Sequence, residues 1–200
     1  AEETSEHFCK HDVLLLLKTV IMKCKSQGCV LRAASTVARI VKLSTTAQRA
    51  LEVGLLDVVL ERLRRDAVRA QSEDDGTLDT LDAFVRSIAL SMKGSDAAIE
   101  AVMQDLNNAK SLVKLLSCRK EGVVGNAAFA LQLIGNKKEH LAALGAAGAV
   151  PGLLAVVHHK RGAPQKNAAL ALSRVVKREE NMAALKAMHG LEILNAYMRF

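Results

Sequence analysis

The sequence predicts an all-α chain built from stacked helical repeats, and three observations carry that expectation. The first is composition. The 200 residues include no Trp, one Tyr and four Phe, whereas Ala, Leu, Val, Lys and Arg abound. Most of these are helix formers, and β-branched or aromatic residues never cluster in the alternation that a strand requires. Half of the residues are hydrophobic, enough for a sizeable core and too many for a disordered chain. The second observation is self-similarity at a fixed offset, the mark of a fold in which each unit stacks on the next. The third is apolar residues recurring at three- and four-residue steps within each unit, the spacing of a buried helical stripe.

The offset is clearest between residues 122–157 and 163–198. Asn126-Ala127-Ala128 falls on Asn167-Ala168-Ala169, Ala130-Leu131 on Ala171-Leu172, Leu144 on Leu185 and Leu153 on Leu194, always 41 residues apart. Two more diverged copies begin at Leu31 and Thr80. Taking Ile40, Ile88, Ile134 and Val175 as equivalent gives steps of 48, 46 and 41. The polar stretch RRDAVRAQSEDDG at 64–76 is expected to be a loop that lengthens the first step. Ahead of these, HDVLLLLKTVIMKC at 11–24 reads as the last helix of a truncated repeat. The expected organisation is a single repeat domain over 1–200, with a partial repeat at 7–28 and repeats at about 30–63, 77–118, 122–158 and 163–200. The absence of an initiator Met leads us to expect a fragment of a longer protein.

Within the third copy, Val124, Ala127, Ala128, Leu131 and Ile134 form one stripe. A short helix is expected around Glu139–Leu144, ending where Gly145 and Gly148 permit a left-handed turn. Pro151 suits the first turn of the next helix, GLLAVV, whose near-uniform apolarity predicts burial. The small side chains of Ala127, Ala128, Ala168 and Ala169 let neighbouring helices approach closely.

These residues resemble the armadillo repeat family, whose pattern is roughly N-A-A-x-A-L-x-N-L-A, a polar turn, then I-x-x-A-G-A-I-P-x-L-V-x-L-L. NAAFALQLIG and LGAAGAVPGLLAVV match well, NAALALSRVV less fully, and the first two copies loosely. The resemblance implies a right-handed α-solenoid of stacked armadillo-like repeats, with the HEAT-like arrangement as the alternative. It also implies a concave groove lined by the third helices of the repeats, which receives an extended partner segment. Many family members place a backbone-clamping Asn late in that helix and an aromatic residue four positions earlier. Here the Asn positions hold Arg39, Ser87, Leu133 and Arg174, and the aromatic positions hold Ser35, Ala83, Phe129 and Leu170. No Asn is present, and only Phe129 is aromatic.

That departure changes the expected partner. An Asn amide both donates and accepts, so a row of them reads any backbone, whereas Arg only donates and favours carboxylates and phosphates. The expected groove set is Arg32, Ser35, Arg39, Arg86, Asn126, Phe129, Leu133, Asn167, Leu170, Arg174 and Lys177, facing an acidic or hydrophobic segment. The alternative is that the charged members are ordinary solvated helix positions. The expected role is a non-catalytic protein-interaction module or scaffold. Armadillo modules also occur in client-assembly factors for myosin and axonemal dynein, so a chaperone-like client-binding role is one form of it.

Other chemistries find little support. Gly145 to Gly152 lacks the Lys-Ser/Thr of a phosphate loop, and no Ser, His and acid form a recognisable catalytic group, so neither an enzyme nor a cofactor is expected. His7, Cys9, His11, Cys24 and Cys29 lack metal-ligand spacing, which leaves the cysteines as expected buried small hydrophobes and no metal site. His158 and His159 are expected to favour the negative end of a helix. The net charge is +7, and residues 158–200 carry eight Lys/Arg against three Asp/Glu. Nucleic-acid or other polyanion binding through this basic end is therefore the alternative function, opposed by the scarcity of stacking aromatics. The longest apolar run, Val13 to Met22, is about half a membrane span and contains Lys18, so no membrane segment is expected. Four cysteines in a long helical chain do not make a disulfide framework, which favours a reducing, cytoplasmic setting, with a nuclear or ciliary one as variants.

Overall fold

A computed structural model describes residues 13–68 and 74–198. Every regular element among them is helical. The chain divides into two compact units, one ending at Gln104 and one beginning at Asp105.

The first unit holds α1 (Val13–Lys23), α2 (Gln27–Ile40), α3 (Ser44–Glu52), α4 (Leu55–Ala67), α5 (Asp75–Gly94) and α6 (Asp96–Met103). Its centre is the packing of α2 on α5, with α4 and α3 also laid against α5. On α2 the buried stripe is Val30, Ala33, Ala34, Val37 and Ala38. Its alanines allow close approach to Ala83, Phe84 and Ser87 on α5, all buried. Leu14 and Ile21 turn α1 inward. Two cations of this unit act as caps. Lys18 Nζ donates to the Val53 carbonyl at 2.7 Å, where α3 turns into α4. The Arg62 guanidinium on α4 donates to the Ile21 carbonyl near the end of α1, 3.1 Å from Nε, and burial pulls its pKa down. Lys18 therefore interrupts the apolar run because a carbonyl at a helix end needs a donor.

The stretch expected to be a loop at 64–76 is shorter than that. Leu63 and Ala67 continue the buried stripe of Val59 and Leu60, so packing carries α4 to Ala67. The helix α5 then starts beside Asp74, whose carboxylate accepts from the Thr77 amide at 3.0 Å as an N-cap. Ser72 and its neighbours lie outside the described residues.

The second unit holds α7 (Leu106–Lys114), continued by a 3-10 turn at Leu115–Ser117, α8 (Glu121–Ile134), a 3-10 turn at Lys138–His140, α9 (Leu141–Ala146), α10 (Ala149–His159), α11 (Gly162–Val175), α12 (Glu179–Ala187) and α13 (Gly190–Met198). Here α8 packs along α11, and α10 packs against α11. The buried face of α8 is Val124, Ala127, Ala128, Leu131 and Ile134, as the periodicity predicted. Leu153, Leu154, Val156 and Val157 bury α10, and its last turn carries His158 and His159, where cations and helix carbonyls attract.

Gly148 has φ +82° and makes the left-handed turn between α9 and α10, and Gly54 at φ +65° does the same between α3 and α4. At the position 41 residues after Gly148 stands His189, a non-glycine with φ 54°. Gly145 was expected to share the turn and does not, since it lies inside α9. Its lack of a side chain makes room for the Asn181 amide, which occupies the space a Cβ would take. No single helix among the described residues is long and apolar enough to cross a membrane.

Candidate binding faces of the two units

In the first unit, α2 and α5 leave a shallow cleft of 830 Å³ between their exposed sides. Arg32, Ser35 and Arg39 line it from α2, and Asp79, Asp82 and Arg86 line it from α5. Arg32, Arg39 and Arg86 are exposed, and Ser35 is half-buried. The expected groove residues of this unit therefore do share one face.

The register expected for α5 was off by one residue. Ala83 is fully buried and Ser87 is 1% exposed. The Ser87 hydroxyl lies 3.0 Å from the Ala34 carbonyl on α2 and 2.7 Å from that of Ala83. A serine this deep is tolerated because its polar atom is satisfied. Arg86, rather than Ser87, therefore stands level with Arg39 and Leu133. The same choice places Asp82 level with Ser35 and Phe129, and Asp79 level with Arg32 and Asn126. The first two steps then both become 47 residues. Aligning isoleucines hid this, because an apolar match in one helix can slip by one position while both residues stay buried. Equal steps were the available signal.

The corrected register adds two carboxylates that sequence reasoning missed, Asp79 and Asp82. Both take part in polar or electrostatic interactions. The cleft is a mixed-charge surface: arginines on both helices face acids on α5, and Lys42 stands at one end.

In the second unit the corresponding face is apolar between polar residues. Phe129 and Leu133 on α8 are half-buried, and Leu170 on α11 is 40% exposed. Asn126 and Asn167 lie at one end, lining a cleft of 330 Å³ with Glu121 and Pro164. Lys177 is exposed just beyond α11.

Two of these residues are already engaged. Asn167 Nδ2 donates to the Gly125 carbonyl of α8 at 3.0 Å, beside Pro164, the nearest neighbour that a Gly125 side chain would meet. Arg174 Nη1 donates to the Gln132 carbonyl at 3.1 Å. With the Gln132 amide turned so that its oxygen faces the guanidinium, that oxygen accepts from Arg174 as well. Arg174 was expected to reach for a partner carboxylate; in the structure it bridges α8 and α11.

Cys24 and Cys29, expected to be buried, are partly exposed, whereas Cys118 is buried. His7, Cys9 and His11 lie outside the described residues.

Comparison with solved structures settles the fold. A designed armadillo repeat protein superposes with a TM-score of 0.83 at 22% identity, covering 97% of this chain and 78% of its own. A second designed armadillo repeat protein, in complex with the peptide (KR)4, gives 0.82 at 21% identity, covering 97% and 77%. The fold is that of an armadillo-like repeat solenoid. A crystal structure of an engineered protein is also similar to this armadillo-like chain, with a TM-score of 0.78, 26% identity, and coverage of 92% and 70%. No protein-family profile and no curated protein sequence matches the chain. The helices bearing the candidate residues, α2, α5, α8 and α11, are those that carry the armadillo-like first motif.

Proposed function

We propose that this chain is a non-catalytic protein-binding module whose first unit takes an extended partner segment on its α2–α5 face, the α8–α11 face of the second unit being a binding face of its own. The observation that carries the reading is the exposed row on α2 and α5, where Arg32, Arg39 and Arg86 stand with Asp79 and Asp82 around one open cleft. Their carboxylates and guanidiniums offer charge-assisted hydrogen bonds to a segment of mixed charge. The face with Phe129, Leu133 and Leu170 takes apolar side chains. A second designed armadillo protein of this fold holds a peptide, which supports the same use here.

The acidic or hydrophobic segment expected from sequence is thereby narrowed. A purely acidic segment would meet Asp79 and Asp82, so the segment we propose presents an acid to Arg32 and Arg39 and a base to the aspartates. The second unit's own face, with Phe129, is proposed to take an apolar residue. Client binding within an assembly factor is one setting for such a module, and the cytoplasm is the compartment we propose for it.

The test is selection of extended peptides from a displayed library on the wild-type protein, followed by titration against variants. We expect enriched peptides of mixed charge, bound about ten-fold more weakly by Arg39→Glu with Arg86→Glu. Selected peptides that bind the charge-reversed variant as well as the wild type would overturn the reading. Arg174 is left intact, because reversing it would damage packing rather than test the face.

A further inference from the structure

The corner between α1 and α2 brings two thiols together. Cys24 continues the last turn of α1, its amide donating to the Val20 carbonyl at 3.0 Å. Cys29 sits in the first turn of α2, its amide donating to the Ser26 carbonyl at 3.1 Å. Between them the Cys24 thiol lies 3.9 Å from the Ser26 carbonyl oxygen, and both cysteines are partly exposed. The Cys29 amide and the Cys24 thiol thus meet at one carbonyl, that of Ser26. The side chains of Ser26, Arg32 and Cys24 each favour the anionic form of the Cys29 sulfur. It also stands at the positive end of a helix.

We propose that Cys24 and Cys29 form a redox-responsive thiol pair that closes to an intramolecular disulfide, with Cys29 as the attacking thiol and Cys24 as the resolving one. The donors around Cys29 hold its thiol below the ordinary range, with the Ser26 hydrogen bond contributing most and Arg32 next. Low-pKa, accessible cysteines beside a second thiol are the ones that oxidise reversibly. The oxidant is a hydroperoxide. The Cys29 thiolate attacks one peroxide oxygen, forming S–O as O–O breaks, and the departing hydroxide takes up the thiol's proton to leave as water. The Cys24 sulfur then attacks the Cys29 sulfur. The S–S bond forms, S–O breaks, and the Cys24 proton leaves with the hydroxide as a second water. Two electrons pass from the thiols to the peroxide.

Closing the disulfide ties up the Cys29 sulfur near Arg32, and Arg32 also lines the α2–α5 cleft. That consequence for binding rests on the peptide-holding role proposed for the cleft; the disulfide does not. Cys118 is 2% exposed and stays out of the reaction.

The reduced full chain is treated with one equivalent of hydrogen peroxide, its remaining thiols are alkylated, and it is digested with trypsin without reductant. Cleavage after Lys23, Lys25 and Arg32 separates the two cysteines, so the expected product is the Cys24–Lys25 dipeptide joined to residues 26–32, released by dithiothreitol. In Cys24→Ser, dimedone should trap a sulfenic acid on Cys29. In Cys29→Ser, Cys24 should stay unlabelled, and Arg32→Ala should slow alkylation of Cys29 several-fold. Recovery of both cysteines as free thiols, pairing of Cys29 with Cys9 or with a second chain, or equal dimedone labelling of Cys24 in Cys29→Ser would each overturn the proposal.

Discussion

Arg174 on α11 donates its guanidinium to the main-chain carbonyl of Gln132 on α8, 3.1 Å away. The bond joins the two helices at their C-terminal ends. The aliphatic stem adds packing, because a Gly135 side chain would come within 3.2 Å of the Arg174 Cβ. Replacing Arg174 by Ala keeps the Cβ that lies near Gly135 and removes the guanidinium hydrogen bond. The expected loss is about 1–2 kcal/mol, the range for a hydrogen bond from a charged donor discounted for partial exposure. Urea denaturation of wild type and variant measures it. Arg174→Lys should recover little of the loss, because an ammonium point charge does not reproduce the planar fork.

Asn181 near the start of α12 is a stronger joint. Its amide nitrogen donates to the Leu141 carbonyl at the head of α9 and to the Val175 carbonyl at the end of α11, each at 2.9 Å. The residue is 6% exposed. Asn181→Leu keeps the branching at Cγ but leaves both carbonyls without this donor and forces bulkier methyl groups against Gly145. We expect a loss of about 2–4 kcal/mol, from two unmade buried bonds. A change below about 0.5 kcal/mol in chemical denaturation would contradict this joint, since that is the size expected of a featureless surface site.

His189 carries a positive φ of 54° where the preceding copy has Gly148. A side chain there costs conformational energy that glycine avoids. His189→Gly is therefore expected to stabilise the second unit by about 0.5–1 kcal/mol, read as a rise in melting temperature. Among the described residues, His189 has an exposed 4.0 Å contact with Glu192, too weak to reverse the sign.

Asp74 caps α5, and its carboxylate is held below the usual range, mainly by the Thr77 amide and then by the Thr77 hydroxyl. A depressed folded pKa means that the contribution is present in full above the unfolded value of 3.8 and is lost as pH falls through the lower folded value. Asp74→Ala should melt at a lower temperature than wild type at neutral pH, and the gap should close in acid. Asp74→Asn keeps an acceptor at the cap and should show a smaller gap, with weaker pH dependence. Melting curves between pH 2 and 7 separate the three proteins.

Much of the molecule was legible before any coordinates. Buried stripes such as Val124 to Ile134 follow from spacing alone, since a helix with five apolar residues on one face has to cover them. Pro151, Gly148 and the alanines of the two NAA motifs marked a helix start, a left-handed turn and close packing by their own chemistry. Among the candidate site residues, Arg32, Ser35 and Arg39 line one cleft, since their three- and four-residue spacing puts them on one side of α2.

The remainder depended on neighbours. Ser87 looked like a groove position and is buried; Asp79 and Asp82 were passed over and line the cleft. Arg174 was a free cation on paper and is a bridge in the fold. Lys18, noted in the sequence only as an interruption of an apolar run, donates to the Val53 carbonyl, and Arg62 donates to that of Ile21. A sequence determines which side of a helix is apolar, because that property belongs to one segment. Which residue at the edge of that side is covered depends on the helix laid against it, and a shift of one position turns a side chain by about 100° around the axis. The armadillo-like repeat was therefore written in the sequence, while the charge pattern of its exposed faces was decided only when α2 met α5 and α8 met α11.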